Sequence, residues 1–137
     1  MPVATFPLGP LQTNSYLIHK TSKAVAIDVG GDPAPMLEYL NTHHLKLEAI
    51  CITHRHFDHM YGVAALEEAT GALVYIPQDD DSLAGTDSGK GGVWGFPPVP
   101  EFTAVPMPMG NTIFGDMVCQ VLKTPGHTPG GVSLYFP

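Results

Sequence analysis

The sequence is poor in basic residues. Lysine and arginine together number six, against thirteen aspartate and glutamate residues, and the formal net charge is −7 with histidine counted as neutral. No two basic residues are adjacent. Proteins that bind nucleic acid need clustered lysine and arginine to neutralise phosphate groups. We therefore expect no nucleic-acid partner, which argues against a nuclease.

Cysteine and long hydrophobic runs are also scarce. Both cysteines, Cys51 and Cys119, lie inside apolar, strand-like segments, so we expect buried free thiols rather than a disulfide. The N-terminal segment MPVATFPLGP has no basic residue and no continuous apolar stretch, and no segment approaches membrane-spanning length. These features predict a cytoplasmic protein without a membrane partner.

The 137 residues suffice for one domain with a real core. Strand patterns alternate with helix patterns up to residue 76, and this alternation predicts a layered α/β fold. Glycine and proline concentrate after that point, where we predict a long loop at about 78–105. Predicted strands cover 14–18, 23–29, 49–52, 72–76, 109–116, 117–122 and 132–136, and predicted helices cover 32–42 and 62–69.

Four potential metal ligands fall within one short segment, Thr53–His59, which reads THRHFDH. The segment follows the apolar strand pattern 49–52 and precedes a helix pattern, so we place it at the carboxyl end of a sheet strand, where sites gather in α/β sheets. Alternate side chains of an extended segment point the same way, so His54 and His56 can converge on one ion. Asp58 and His59 follow where the chain turns, and can serve a second position. Imidazole and carboxylate ligands suit zinc, iron or manganese.

These residues carry a family resemblance. THRHFDH resembles the HxHxDH motif of the metallo-beta-lactamase superfamily, and TPGHTPG at 124–130 resembles the later loop of that family. Within the superfamily, the short chain and the wording of this loop are most similar to the glyoxalase II-like hydrolases. The resemblance implies the αββα sandwich of the family, with the C-terminal half incomplete in the single domain 1–137.

The resemblance also implies roles for particular residues. His54, His56 and His127 would hold a first divalent metal ion, and Asp58 and His59 would contribute to a second, with zinc preferred over iron or manganese. Asp58 would also act in catalysis. Asp28 would support the metal loop by hydrogen bonds, although a plain turn residue is an equally good interpretation. The implied reaction is hydrolysis of a small-molecule thioester such as an acylglutathione.

Alternative functions remain open on the same residues. Some members of the superfamily, resembling persulfide dioxygenases, hold one iron with two histidines and a carboxylate, for which His54 and His127 could serve. A lactamase fits less well, because the motif keeps Asp58-His59 and no export signal is present. A metal-binding module without catalysis is the third alternative.

Two further ligands of the family pattern have no counterpart here. In the family, the strand corresponding to 132–136 leads to an aspartate that bridges both metals, and a later histidine completes the second site. No residue follows Pro137. We expect a shortened form of a longer protein, and poor stability of the isolated chain because a sheet edge is left unpaired.

The predicted loop at 78–105 contains two groups of side chains with open roles. We expect the acidic run Asp79, Asp80 and Asp81 to lie on the solvated surface or to start a helix. Trp94, Phe96 and Phe102 either line a substrate cleft or fasten the loop to the core.

Overall fold

Nine strands form two sheets in the computed structural model, which describes all of residues 1–137. The first sheet has six strands in chain order, and the second has three. The first contains β1 (Val3–Leu8), β2 (Thr13–Lys20), β3 (Lys23–Ile27), β4 (Lys46–Cys51), β5 (Leu73–Ile76) and β6 (Val105–Pro106), and the second contains β7 (Gly110–Phe114), β8 (Met117–Lys123) and β9 (Val132–Tyr135). The helices are α1 (Ala34–Thr42), α2 (Val63–Thr70) and α3 (Asp87–Lys90), with 3₁₀ turns at Phe57–His59 and Gln78–Leu83.

The six-stranded sheet changes from antiparallel to parallel pairing along its width. Strands β1, β2 and β3 pair antiparallel, and β3 to β6 pair parallel. Strands β2 and β3, which correspond to the predicted strands 14–18 and 23–29, form a hairpin that turns at Thr21, which adopts a left-handed conformation with φ 54°. Because β3, β4 and β5 are parallel, their carboxyl ends lie at one edge of the sheet. The loops that follow β3 and β4 therefore emerge side by side.

Helices α1 and α2 cover one face of the six-stranded sheet. Met36 and Leu40 of α1 and Leu66 of α2 are buried in a core cluster with the sheet residues Ile50 and Val74. Gly71 ends α2 in the left-handed conformation at φ 71°, which glycine adopts readily at the end of a helix. The apolar stripes of both helices thus bury this face of the sheet.

The three-stranded sheet covers the opposite face of the six-stranded sheet. A second core cluster joins Val25 and Cys51 of the first sheet to Met117, Cys119 and Val121 of the second. Residues alternate between the two clusters, as neighbouring side chains of a strand must. This double burial explains the apolar runs 24–27 in β3 and 49–52 at the end of β4. Both cysteines are buried and free, as predicted.

The outer face of the three-stranded sheet is exposed to solvent. Its apolar side chains Ile113, Val118, Leu122 and Tyr135 are 66%, 53%, 41% and 57% exposed. The protein therefore has three layers, which are the helices, the six-stranded sheet and the three-stranded sheet. The expected poor stability of the chain stays a prediction.

Two details of the sequence-based prediction need correction. Helix α1 begins at Ala34 rather than at 32, because the Asp32 carboxylate accepts a hydrogen bond from the Ala34 backbone N–H at 2.9 Å and holds a turn in front of the helix. The segment predicted as a loop at 78–105 contains the 3₁₀ turn Gln78–Leu83 and the short helix α3. No helix in the protein combines the length and the apolar character needed to cross a membrane.

Candidate metal centre

The loop Thr53–His59 leaves the end of β4 in a conformation fixed by its own backbone. The His56 N–H donates to the carbonyl of His54, and the His59 N–H donates to the carbonyl of His56, both at 3.0 Å. Phe57 begins the 3₁₀ turn and is buried, which anchors the loop. The imidazoles of His54 and His56 end up side by side, with ring centroids 4.9 Å apart.

The loop that carries His127 joins β8 to β9 on the other sheet. Backbone hydrogen bonds from Thr124 to Gly131 and from Gly126 to Thr128 close it, at 2.9 and 3.0 Å. A further hydrogen bond at 2.9 Å joins the Val132 N–H to the Thr53 carbonyl. This bond places the His127 loop against the loop from β4.

Three histidines meet where these loops touch. His54, His56 and His127 each offer a ligand nitrogen, and these atoms all lie within 4.8 Å of one another. The ring of His127 lies 5.0 Å from that of His54 and 4.7 Å from that of His56, measured between centroids. The loops that carry these residues follow strands of the two different sheets, and His127 is distant from His54 and His56 in the sequence. The structure thus brings together the three residues expected to hold the first metal.

His54 presents a buried lone pair to this cluster. Thr53 Oγ1 donates its proton to Asp28 Oδ2 at 2.8 Å, so the contact at 2.9 Å between Thr53 Oγ1 and His54 Nδ1 must be donated by the imidazole. This fixes the proton of neutral His54 on Nδ1 and leaves Nε2 as an acceptor. His54 Nε2 is buried and has no hydrogen-bond partner.

Electrostatics keep this imidazole neutral. Burial, together with the positive charge of His59, lowers the pKa of His54 to about 4. Burial and the proximity of His127 likewise lower the pKa of His56. Metals bind the neutral form of histidine, and buried polar atoms rarely lack a partner. The three histidines therefore fit a divalent metal ion.

Asp58 and His59 form a pair beside this cluster. His59 Nε2 lies 3.5 Å from Asp58 Oδ2, and the ring of His59 lies 4.2 Å from that of His54. Thr13 Oγ1 donates to Asp58 Oδ2 at 3.0 Å and orients the carboxylate. The structure therefore places both residues expected at a second metal next to each other and next to the first position.

Asp28 is buried beneath the loop and contacts it three times. The carboxylate accepts hydrogen bonds from the Thr53 N–H, from Thr53 Oγ1 and from His59 Nδ1, each at 2.8 Å. Burial alone would lower the pKa of His59, but the hydrogen bond and charge of Asp28 outweigh it and raise that pKa. A plain turn residue would not need these contacts, although Asp28 does adopt a left-handed conformation with φ 58°. The carboxylate orients both Thr53 and His59.

Asp80 corrects the interpretation of the acidic run. The side chains of Asp79 and Asp81 are 55% and 63% exposed, but Asp80 is fully buried. Its carboxylate accepts hydrogen bonds from the Arg55 N–H, from Thr128 Oγ1 and from the Gly130 N–H, at 3.0, 2.9 and 2.6 Å. The alternative of solvated surface is therefore wrong for this residue, whereas the alternative that the run starts a helix agrees with the 3₁₀ turn Gln78–Leu83 that contains it. Nothing local in the sequence distinguishes it from its two neighbours.

The aromatic residues of the segment 78–105 have different surroundings. Phe102 packs against the core cluster between the helices and the six-stranded sheet, so it fastens the segment to the body of the protein. Trp94 and Phe96 lie beside Phe57, with ring centroids at 6.4 and 5.4 Å, and Trp94 is 71% exposed. Tyr61 donates a hydrogen bond at 2.7 Å to the Pro97 carbonyl, which holds these rings next to the 3₁₀ turn of the metal loop.

A cavity of about 590 Å³ lies between the loop that follows β4 and the segment 78–105. Arg55, Met60, Ile76 and Phe102 contribute to its wall, and none of the three clustered histidines does. Arg55 therefore points away from the metal position, as expected for a residue between two converging histidines.

Comparison with curated proteins finds relatives with hydrolase names. Probable metallo-hydrolase YqgX of Bacillus subtilis (strain 168) is 32% identical over 136 residues, covering 94% of this chain and 63% of the relative. A hydroxyacylglutathione hydrolase of Methylobacillus flagellatus is 32% identical over 120 residues, covering 88% of this chain and 42% of that enzyme. The chain therefore spans less than two thirds of the length of these relatives.

Solved structures share the fold. The BLEG-1 B3 metallo-beta-lactamase superposes with a TM-score of 0.87 and 31% identity, over 98% of this chain and 67% of that chain. TTHA1623 in a di-iron-bound form superposes with a TM-score of 0.81 and 40% identity, over 96% of this chain and 66% of that chain. These neighbours confirm the predicted fold class.

A comparison with protein families matches residues 8–137 to one family. The match includes both histidine loops and strands β2 to β9, but only the last residue of β1. With the fold and the relatives described above, it establishes that the chain belongs to the metallo-beta-lactamase superfamily.

Proposed function

We propose that this protein is a metal-dependent hydrolase that cleaves a small-molecule thioester such as an acylglutathione. His54, His56 and His127 would hold one divalent ion, and Asp58 and His59 would contribute to a second. The observation that carries the proposal is the buried lone pair of His54 Nε2, which faces two other imidazoles and has no protein partner. Membership of the superfamily supports a metal-dependent hydrolase, and the hydroxyacylglutathione hydrolase relatives support the thioester class.

The chain's own residues would prepare the reaction. Divalent ions at such a site polarise a carbonyl and make bound water acidic near neutral pH. Asp28 holds His59 through Nδ1 and leaves its Nε2 directed to the side of Asp58. Thr13 and His59 contact only Oδ2 of Asp58, so Oδ1 is the oxygen that we propose to orient the attacking water or accept its proton.

Substitution of one ligand tests the assignment. We expect His56→Ala to abolish hydrolysis of an acylglutathione and to lower the metal content per chain, with circular dichroism unchanged. His44→Asn is the matched control, because His44 is exposed, lies outside the cluster and adopts a left-handed conformation that asparagine tolerates. Unchanged turnover in His56→Ala would contradict the proposal. Parallel assays with a β-lactam would show whether thioesters are the preferred class.

Metal content per chain separates the proposal from an iron-dependent oxidoreductase. We expect two equivalents of zinc, iron or manganese by elemental analysis. The similarity to a protein crystallised with two irons keeps iron among the candidates. One equivalent of iron, together with oxygen uptake in the presence of a persulfide, would favour the dioxygenase-like alternative. Metal binding without any turnover would favour a non-catalytic module.

The proposal involves a small-molecule substrate and neither nucleic acid nor a membrane. The deficit of lysine and arginine supports the first exclusion, since no basic cluster is available for phosphates. The cytoplasmic location stays a prediction.

A further inference from the structure

We propose that Asp80 is a positioning residue of the metal centre, which fastens the loop of His54 and His56 to the loop of His127. The proposal rests on metal binding by the three histidines and not on the identity of the substrate. Asp80 belongs to neither loop, and it lies in the 3₁₀ turn Gln78–Leu83 that follows β5.

The hydrogen bonds of Asp80 divide between the two loops. Oδ2 accepts from the backbone N–H of Arg55, the residue between His54 and His56, at 3.0 Å. The same oxygen accepts from Thr128 Oγ1, next to His127, at 2.9 Å. One carboxylate oxygen thus contacts the immediate neighbours of all three clustered histidines.

The second oxygen strengthens the hold on the His127 loop. Oδ1 accepts from the Gly130 N–H at 2.6 Å. A Cβ atom at position 130 would lie 2.6 Å from the Asp80 backbone nitrogen, so only glycine allows this approach without a shift of the backbone. Glycine at position 130 therefore allows the His127 loop to approach Asp80 closely enough for this hydrogen bond.

Burial of this carboxylate is costly unless its oxygens are satisfied. Asp80 is 0% exposed, and no ion pair compensates its charge, since the Arg55 guanidinium contacts Asp81 at 3.5 Å. Three hydrogen bonds to an ionised acceptor are each stronger than bonds to a neutral one. Replacement by an uncharged side chain would lose much of this attraction, and the two loops would separate more easily.

Few other contacts fix His127 relative to the remaining ligands. One direct hydrogen bond joins the two loops, from the Val132 N–H to the Thr53 carbonyl. The His127 side chain itself is exposed, and its ring meets the rings of His54 and His56 edge to face, so packing holds it only weakly. Loss of the Asp80 bridge should therefore weaken metal binding before it unfolds the protein.

The test compares Asp80→Asn with Asp79→Asn. Both variants remove one negative charge from adjacent positions, but Asp79 is exposed and contacts Lys123 rather than either histidine loop. In asparagine at position 80, an amide nitrogen replaces one carboxylate oxygen. This nitrogen is a donor, so it cannot accept the hydrogen bonds that the oxygen accepted. We expect the zinc dissociation constant, measured by competition with a chromogenic chelator, to rise about 10–100-fold in Asp80→Asn and less than about threefold in Asp79→Asn. Circular dichroism of the metal-free variants reports the fold.

Cobalt(II) provides a second readout of ligand geometry. We expect the visible absorption of the cobalt-loaded protein to change in Asp80→Asn and to match the wild type in Asp79→Asn, because only the former shifts His127. A role of Asp80 in general stability would lower the unfolding midpoint without changing this spectrum.

Thr128→Val keeps the carboxylate and removes one of its hydrogen bonds, so it serves if Asp80→Asn fails to fold. We expect its zinc dissociation constant to rise about threefold to tenfold, given a net worth near 1 kcal/mol for one hydrogen bond. If Asp80→Asn folds and has the zinc affinity and cobalt spectrum of Asp79→Asn, the inference is overturned. If Asp80→Asn does not fold, an unchanged zinc affinity of Thr128→Val overturns it instead. Failure of the wild type to bind zinc or cobalt would overturn the proposed function as well, so the two failures are distinguishable.

Discussion

The six-stranded sheet is covered on both faces, whereas the three-stranded sheet is covered on one. Helices α1 and α2 pack on the first sheet from outside, and the second sheet packs on it from inside. The outer face of the second sheet leaves Ile113 66% and Val118 53% exposed. Each sheet carries part of the metal centre, because His54 and His56 follow β4 and His127 follows β8.

This difference divides the metal centre into two parts. We call the loop of His54 and His56 the rigid part and the loop of His127 the less supported part. The loop of His54 and His56 follows β4, whose last residues Ile50 and Cys51 are fully buried, as is the next residue, Ile52. The His127 loop grows from a strand that is buried on alternate residues only. We infer that bound metal and the Asp80 bridge stabilise mainly the second part.

A matched pair of isoleucine substitutions should show the largest difference between the sheets. Ile50→Ala removes a side chain that is 0% exposed, and we expect a loss of about 2–5 kcal/mol in the free energy of unfolding because a cavity is left. Ile113→Ala, at 66% exposure, should change it by less than about 0.5 kcal/mol. Denaturant unfolding measures both, and equal losses would show that the outer face of the second sheet is buried in solution.

Metal removal should affect the two loops unequally. Ligand at a hundred times its dissociation constant stabilises a protein by about 2.7 kcal/mol, so chelation should lower the unfolding midpoint measurably. In hydrogen exchange, we expect the segment 124–131 to lose more protection than β4. Equal loss in both segments would contradict the division into a rigid and a less supported part. Addition of zinc after chelation serves as the control.

Much of the rigid part could be predicted from the sequence because its residues are contiguous. His54, His56, Asp58 and His59 lie within six residues, and the apolar strand before them identifies their place at the end of a sheet strand. Assignment of His127 and Asp28 needed the family resemblance, since both are distant from the loop in sequence. In the structure, His127 lies beside His54 and His56, and Asp28 contacts Thr53 and His59.

Asp80 could not be predicted, for a physical reason. A carboxylate becomes a buried acceptor only when donors surround it, and the donors here are 25, 48 and 50 residues away. The sequence around it shows three aspartates in a row, and solvated surface is the usual state of such a run. The short helix α3 escaped prediction likewise, because its four residues show no apolar period.

Asp28→Asn should lower the free energy of unfolding less than Ile50→Ala does, and it should act on the rigid part of the metal centre. One carboxylate oxygen is replaced by an amide nitrogen that cannot accept from Thr53 or His59, so a buried donor loses its partner. We expect a loss of about 1–3 kcal/mol in the free energy of unfolding of the metal-free protein. Asp32→Asn is the control, because Asp32 accepts only one hydrogen bond, at the exposed start of α1, and asparagine can accept it too. If both variants unfold alike, the Asp28 contacts contribute nothing to stability.

The ion pair between Lys123 and Asp79 should show the smallest effect. It joins the end of β8 to the 3₁₀ turn Gln78–Leu83 at 2.8 Å, next to Asp80 but outside both histidine loops, and its side chains are 62% and 55% exposed. Exposed pairs contribute about 0.2–1 kcal/mol and weaken with salt, because water and counterions screen them. A double-mutant cycle with Lys123→Ala and Asp79→Ala measures the coupling at low and high salt. A coupling above about 2 kcal/mol, unchanged by salt, would mean that this ion pair is less hydrated than the exposures of its side chains indicate, and that Asp80 is not the principal polar contact between the 3₁₀ turn and the region of β8 and the His127 loop.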